Sequence, residues 1–404
     1  MKSKQWIRLA AVSSVAVVLS ITGCAGSAAG GGGDAGSGSS KTVTIGVSVP
    51  KTGPVASAGV GQGCGVEIYF DAANKAGGLG GYKVDLETKD NQYEGQAAAT
   101  IAQQFVSDGD VAVFTTGTVP IDAARAATSA AKVPLFGGGD GAAFAPPKAP
   151  GEFTTYPRYQ DDMASAIQFA KKDLGQSKVS VVVALGPGDA SAAALPAIIE
   201  SSGAELGTLV QMNLKEPQWA AWAKQLKDAG AGAVYVQHVD TTLAQLQKES
   251  ANIGYTPKWI VTPFGFGPSY LQLAGDLAEG TYVSQWSWPT AAKDEKSVQK
   301  FISDVEAHGG DCAKLVDDPN VAVGYNHAAL MGYGIEQAAK NGGKVTGETI
   351  TAALQSLDGT PIGTAPAITL NEESHAGGTE VSYWQVKGGT LTSASDWHEI
   401  VSAG

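Results

Sequence analysis

The sequence predicts an α/β protein made of two doubly wound, parallel-sheet lobes. Strand-like and helix-like segments alternate without interruption from Thr42 to Gly139, and the same rhythm restarts at Lys178. About 360 residues follow the Gly/Ser tract near the amino terminus, too many for one small core and suited to two.

In the first series "TVTIGVSV" (Thr42 to Val49) is a β-branched strand stopped by the Lys51-Thr-Gly-Pro54 turn. Val66, Ile68, Tyr69, Phe70, Ala72 and Ala73 then mark a helix between Val60 and Ala76, closed by Gly77-Gly78. "YKVDLETKD" alternates as a strand and "GQAAATIAQQFVSDG" is a helix with a glycine stop. "DVAVFTTG", "VPIDAARAATSAAK" and "VPLFGGG" complete the series as strand, helix and strand.

The second series runs "KVSVVVAL", "SAAALPAIIESSG", "AELGTLVQM", "PQWAAWAKQLKDAG", "AGAVYVQHV", "TTLAQLQKESANIG" and "KWIVTP", again strand and helix in turn. Architecture repeats and sequence does not. Beyond Tyr282 lie a Trp/Pro segment, "SQWSWPT", and helices at "KSVQKFISDVEAHG", "PNVAVGYNHAALMGYGIEQAAKNGG" and "TGETITAALQSL". A hairpin-like pair around "EVSYWQVKGG" closes the chain.

The amino terminus has its own logic. Lys2, Lys4 and Arg8 precede an apolar run from Leu9 to Ile21, the layout of an export signal. At about 13 residues that run is shorter than the roughly 20 a membrane span needs. It ends at Ile21-Thr22-Gly23-Cys24, which resembles the bacterial lipobox, where the signal is cut before a diacylated cysteine. Residues 1–24 are then signal and lipobox, 25–40 a flexible tether, and Cys24 the lipidated anchor to the outer face of the cytoplasmic membrane. Cys64 and Cys312 remain; outside the cell they can pair, but their separation says nothing of proximity, and pairing and free thiols are both open.

A net charge of −12 and the lack of any basic cluster argue against nucleic acid. No HExxH, CxxC, GxSxG or Walker loop occurs, and the five histidines have no ligand spacing, so neither a metal nor a cofactor is expected. "GVGQGCG" (Gly59 to Gly65) lies too far beyond the first strand, and places Cys64 where a dinucleotide loop needs its third glycine; it reads as a small-residue helix start.

Polar and small residues collect in the loops after strands, which form the ligand crevice of doubly wound sheets. Helix starts at Thr118 and Gly139 offer unpaired N–H donors suited to a carboxylate. Asp140, Asp189 and Asp240 are placed to meet an ammonium, and Phe264, Phe266 and Tyr270 add aromatic surface.

With "KTGPVASAG", "FDAANKAGGLGGYKVDLETKDNQY", "VPLFGGGDG", "LAGDLAEGTYVS" and "AVGYNHAALMGYGIEQA", the chain resembles solute-binding proteins of ABC importers, of the branched-chain amino acid type with the type I periplasmic-binding fold. The resemblance implies a three-segment hinge, a first lobe of residues 41–158 with 286–361, and a second of 159–285 with 362–404. It implies that Thr116, Gly117, Thr118, Gly138, Gly139 and Asp140 grip a carboxylate, that Ser57 covers the solute, and that Tyr159 and Gln160 reach the cleft near the first crossover. The second lobe departs from the family pattern: "GPGDASAA" has no tyrosine, and Asp240 stands about two residues before the place of the family's amine-binding acid.

The expected activity is therefore capture of a small polar metabolite, an amino acid or related carboxylate or amide, by hinge closure. Delivery would be to an ABC permease and ATPase complex, by a monomer that is no enzyme. A ligand-sensing lipoprotein without transport is the alternative, and a secreted α/β enzyme a remote one; neither a nucleophile–base pair nor a cofactor loop supports the latter.

Overall fold

The computed structural model describes residues 41–53, 55–138, 144–184, 190–213, 216–355 and 357–404. Within them the first lobe holds β1 (Lys41–Val49), α1 (Ala56–Lys75), β2 (Tyr82–Asp90), α2 (Gly95–Asp108), β3 (Ala112–Thr116), α3 (Thr118–Ala131), β4 (Leu135–Gly138) and β5 (Glu152–Phe153). These strands form one parallel sheet of order β2-β1-β3-β4-β5. β1 is buried along most of its length because helices cover both faces, as its unbroken Val/Ile pattern requires.

The second lobe repeats the winding. It runs α4 (Tyr159–Lys172), β6 (Lys178–Ala184), α5 (Ala190–Ser202), β7 (Glu205–Met212), α6 (Trp219–Ala229), β8 (Ala233–Gln237), α7 (Asp240–Asn252), β9 (Lys258–Val261), α8 (Pro268–Ala274) and β10 (Tyr282–Gln285). Its parallel strands take the order β7-β6-β8-β9-β10, the same winding as in the first lobe.

The chain then returns to the first lobe with α9 (Lys296–His308), α10 (Gly310–Ala313), α11 (Pro319–Lys340), α12 (Gly347–Leu354) and a hairpin of β11 (Leu357–Ile362) and β12 (Ala365–Leu370). β13 (Glu380–Lys387) joins β10 antiparallel in the second lobe, followed by β14 (Thr390–Ser393) and β15 (His398–Glu399) on β13. The tail is strapped down: Val401 N–H donates to Ser165 Oγ (2.8 Å) and Ala403 N–H to Asp161 Oδ1 (2.9 Å), both on α4.

The division expected at 361/362 cuts through the β11–β12 hairpin. Ile362, Ala365, Ile368 and Leu370 are buried in the same cluster as Ile45, Val47 and Phe114 of the first sheet, and the chain leaves that lobe only after Ala376, which belongs to the buried cluster of Phe105 and Leu135.

Three features hold α1 and α11 together. A Cβ on Gly61 would lie 2.7 Å from Asn320 Cβ, one on Gly65 would meet Val321 O at 2.1 Å, and one on Gly324 would meet Gln62 O at 1.9 Å. The glycines of "GVGQGCG" thus serve close helix–helix approach. Cys64 of α1 is bonded to Cys312 of α10, which settles the pairing left open above and staples the α9–α10 excursion to the first lobe.

Candidate functional site

In both lobes the winding reverses direction between the first and third strands, β1/β3 and β6/β8, and a crevice opens at the carboxyl ends of such pairs. The loops after β1, β3 and β4 and those after β6, β8 and β9 therefore mark the site. Three chain segments connect the lobes: residues around Tyr156, Trp286 and Gly377. The first and third run side by side, with Thr154 bridged to Ala376, Thr154 N–H donating to His375 O and Gly377 N–H to Thr154 O. His327 of α11 fits beneath them. Its Nδ1 lies 2.8 Å from Val323 O and its Nε2 3.2 Å from Thr154 Oγ1, and burial pushes its pKa down to about 4, so the ring is neutral.

On the first lobe a polar chain runs from sheet to helix. Thr116, the last residue of β3, donates its hydroxyl to Gln62 Oε1 (2.8 Å), and Gln62 Nε2 donates to Asn320 Oδ1 (3.3 Å). Asp318 caps α11 by accepting from Asn320 N–H (2.9 Å) and Nδ2 (3.0 Å). Asp90, ending β2, accepts from Lys51 N–H (2.9 Å) and Thr52 Oγ1 (2.8 Å), pinning the loop after β1.

The start of α3 is occupied from within. Gly117 has φ +92°, and a Cβ there would stand 2.3 Å from the Tyr93 ring. The Tyr93 hydroxyl faces the backbone N–H groups of Val119 and Thr118, which pull its pKa down against the larger upward push of burial. The donors expected to meet a carboxylate at Thr118 are therefore faced by a phenol oxygen.

On the second lobe Asp240 is the first residue of α7, buried, with Oδ1 accepting from Thr241 N–H (2.8 Å); burial raises its pKa. Asp318, from the other lobe, is pushed up to about 6, first by burial and in addition by Asp240. Its Oδ1 also lies 3.8 Å from where a Cβ on Gly267 of the second lobe would stand. One acid from each lobe thus shares an electrostatic environment.

Aromatic rings gather where the crossovers meet. Tyr156 lies 5.0 Å from Trp286, 5.9 Å from Tyr159 and 5.7 Å from Phe264, centroid to centroid, and Phe264 lies 5.4 Å from Trp286. The Tyr156 hydroxyl presses on the end of β4, only 1.1 Å from where a Cβ on Gly138 would sit, so only glycine fits there.

The sequence-derived residues divide as follows. Thr116, Gly117, Thr118 and Gly138 come together at the ends of β3 and β4, and Tyr159 and Phe264 join the ring cluster. Gln160 is buried with no partner for Oε1 among the described residues. Ser57 is exposed on the first turn of α1. Phe266 packs in a separate cluster with Tyr270, their centroids 6.2 Å apart, and also lines a cavity shared with Tyr156, Trp286 and Asp318. Gly139, Asp140, Asp189 and Cys24 lie outside the described residues. Gln62, Tyr93, Tyr156, Trp286, Asp318 and Asn320 were not singled out; the visible signals were the Trp/Pro segment for Trp286 and Asp318-Pro319-Asn320 as a helix start.

Among the described residues one trio, Glu67, His308 and Cys312, has metal-ligating atoms near one another, but the Cys312 sulfur is committed to Cys64. No described helix is long and apolar enough to cross a membrane.

Two like-wound lobes, three connections and a crevice between strand ends define a solute-binding protein of the type I form. The chain belongs to the periplasmic binding protein family, whose model matches residues 42–390. That family consists of binding proteins and not enzymes. A relative, the Leu/Ile/Val-binding protein homolog 3 of Brucella melitensis, is 27% identical over 332 residues, covering 80% of this chain and 85% of its own. A branched-chain amino acid ABC transporter structure from Thermus thermophilus with bound valine superposes with TM-score 0.81 at 20% identity, over 89% of this chain and 97% of that one. An ABC transporter solute-binding protein from Rhodopseudomonas palustris in complex with 3,4-dihydroxybenzoic acid gives TM-score 0.76 at 20% identity, over 90% and 98%.

Proposed function

We propose that this chain is the extracytoplasmic receptor of an ABC importer, held to the outer face of the cytoplasmic membrane through lipid on Cys24, and acting as a monomer. It captures a small polar metabolite, an amino acid or related carboxylate or amide, and presents it to the permease and ATPase complex. The observation that carries this reading is that the Tyr156 hydroxyl, in the aromatic cluster at the crossovers, reaches the end of β4 at Gly138, while Asp318 of the first lobe stands close to Gly267 of the second. Contacts to both lobes favour the shut form over the open one, and only that difference shifts the population.

In this reading Thr116, Gly117, Thr118 and Gly138, with Gly139 and Asp140, receive the polar end of the solute. Asp240, with Asp189, receives any ammonium; Ser57, Tyr159, Gln160 and Phe264 close around it. Branched-chain amino acids, as in the names of relatives, head the candidates.

The test is mass spectrometry of solute released by unfolding gently purified protein, then calorimetry with the identified compound. A released amino acid or carboxylate with low-micromolar affinity, about −8 kcal/mol, supports the assignment. A compound recovered chemically altered after incubation refutes it.

A further inference from the structure

Asp162 of α4 is wholly buried, and three neutral donors from separate elements converge on its carboxylate. Trp286 Nε1–H donates to Oδ1 (2.7 Å), and the Tyr235 hydroxyl (2.7 Å) and Ser284 hydroxyl (3.2 Å) donate to Oδ2. Tyr235 belongs to β8, Ser284 to β10, and Trp286 opens the second crossover. A buried carboxylate facing only neutral donors is a costly way to fill space, which an apolar side chain would fill better.

What the arrangement secures is the orientation of one ring. An indole can present either edge to its neighbours, and its single N–H, committed to Asp162, selects one. The Trp286 ring so held lies at 30° to Tyr156 and 26° to Tyr159, and is met edge-on by Phe264 at 72°. Rigid aromatic surface binds at low entropic cost because little rotamer freedom remains to be lost.

We propose that Asp162 is a positioning residue for the solute cleft: by accepting the indole N–H it fixes Trp286 as the wall of the aromatic cluster, and that wall selects solutes bearing an apolar or aromatic group. The selectivity half rests on the reading that this cluster faces the solute.

The experiment uses the full chain carrying 5-fluorotryptophan, with the Trp286 line in the fluorine spectrum assigned by Trp286→Phe. In Asp162→Ala that line shifts and broadens, whereas Asp162→Asn, which keeps an oxygen for the indole, displaces it less. Calorimetry with L-leucine, L-phenylalanine and 3,4-dihydroxybenzoate as probes then shows roughly tenfold weaker binding in Asp162→Ala for the probe held most tightly, and a smaller loss in Asp162→Asn. A Trp286 line unmoved in Asp162→Ala, or equally moved in both variants, overturns the positioning role. Should Asp162→Ala not fold, Asp162→Glu displaces the carboxylate by one methylene and must move the same line. Failure of the underlying reading looks different: Trp286→Ala would leave the affinity of a bound probe unchanged while the fluorine spectra still report the Asp162 contact. Binding of none of the three probes to the wild-type chain removes the selectivity claim.

Discussion

Asp318 at the head of α11 and Asp240 at the head of α7 belong to different lobes, yet Asp240 helps raise the Asp318 pKa to about 6. Two carboxylates that face each other from different lobes repel unless a proton or a solute cation lies near them. Asp240→Asn should therefore lower the Asp318 titration midpoint, read by carbon-13 NMR of the side-chain carboxyl. It should also weaken an ammonium-bearing solute at least tenfold, about 1.4 kcal/mol. An unchanged midpoint would show that the acids are uncoupled.

Gly117 and Tyr93 make a second test. Gly117→Ala places a methyl against the Tyr93 ring at a backbone angle of +92°. We expect a loss of about 2 kcal/mol in urea denaturation, from the left-handed backbone and the displaced ring together. Tyr93→Phe, which only removes the oxygen facing the α3 N–H groups, should cost about 1 kcal/mol. If Tyr93→Phe instead strengthens binding of a carboxylate solute, the freed donors are part of the site.

The Cys64–Cys312 bond lies wholly within the first lobe and closes a loop of 248 residues. The double alanine variant should lose about 2–5 kcal/mol of stability. Because the bond does not tie the lobes together, solute affinity should stay within about twofold, well below the tenfold that 1.4 kcal/mol represents. A large affinity loss in the folded variant would mean that the α9–α10 excursion acts on the cleft.

Asp162 gives the chain a definite pH response. Burial raises its pKa from the ordinary 3.8 to about 6, against the opposing pull of Trp286, Tyr235 and Ser284. Below pH 3.8 both folded and unfolded chains hold the proton; as pH climbs to 6 the unfolded chain releases it first, so stability falls by about 3 kcal/mol and then levels off. Asp162→Asn has no proton to lose. Its stability relative to wild type should rise by about 3 kcal/mol between pH 3 and pH 7 in urea titrations, and a flat difference would contradict the shifted carboxyl.

Much of the fold was legible because local pattern and tertiary role agree. β1, β2, β6 and the long α11 are apolar or alternating in the manner their buried faces require. α4 is not, because its first turn carries the charged pair Asp161 and Asp162, which interrupts the apolar pattern of a buried helix. Both turn inward, Asp161 to Arg158 and Ala403 N–H, and Asp162 to its three donors. The β11–β12 hairpin was hidden by Asp358-Gly359-Thr360-Pro361, a run of turn formers.

The site was half legible for a related reason. Strand-end loops announce themselves by composition, and so Thr116 to Thr118 and Asp240, at the ends of β3 and β8, are visible in the sequence as candidates. Gln62 acts through bonds to Thr116 and Asn320, partners distant in sequence that no local window contains, whereas Asp318 shows locally only as the cap of α11. Phe264 and Phe266 are separated by Gly265 alone, yet the short turn there sends the two rings into different clusters, which composition does not foretell.

The backbone amides of Val401 and Ala403 are spent on Ser165 and Asp161, so this last described stretch is moored to the same helix that supplies Asp162. A dye attached at the exposed Ser402 would ride with the second lobe beside the first crossover, and would therefore report poorly on any movement of one lobe against the other.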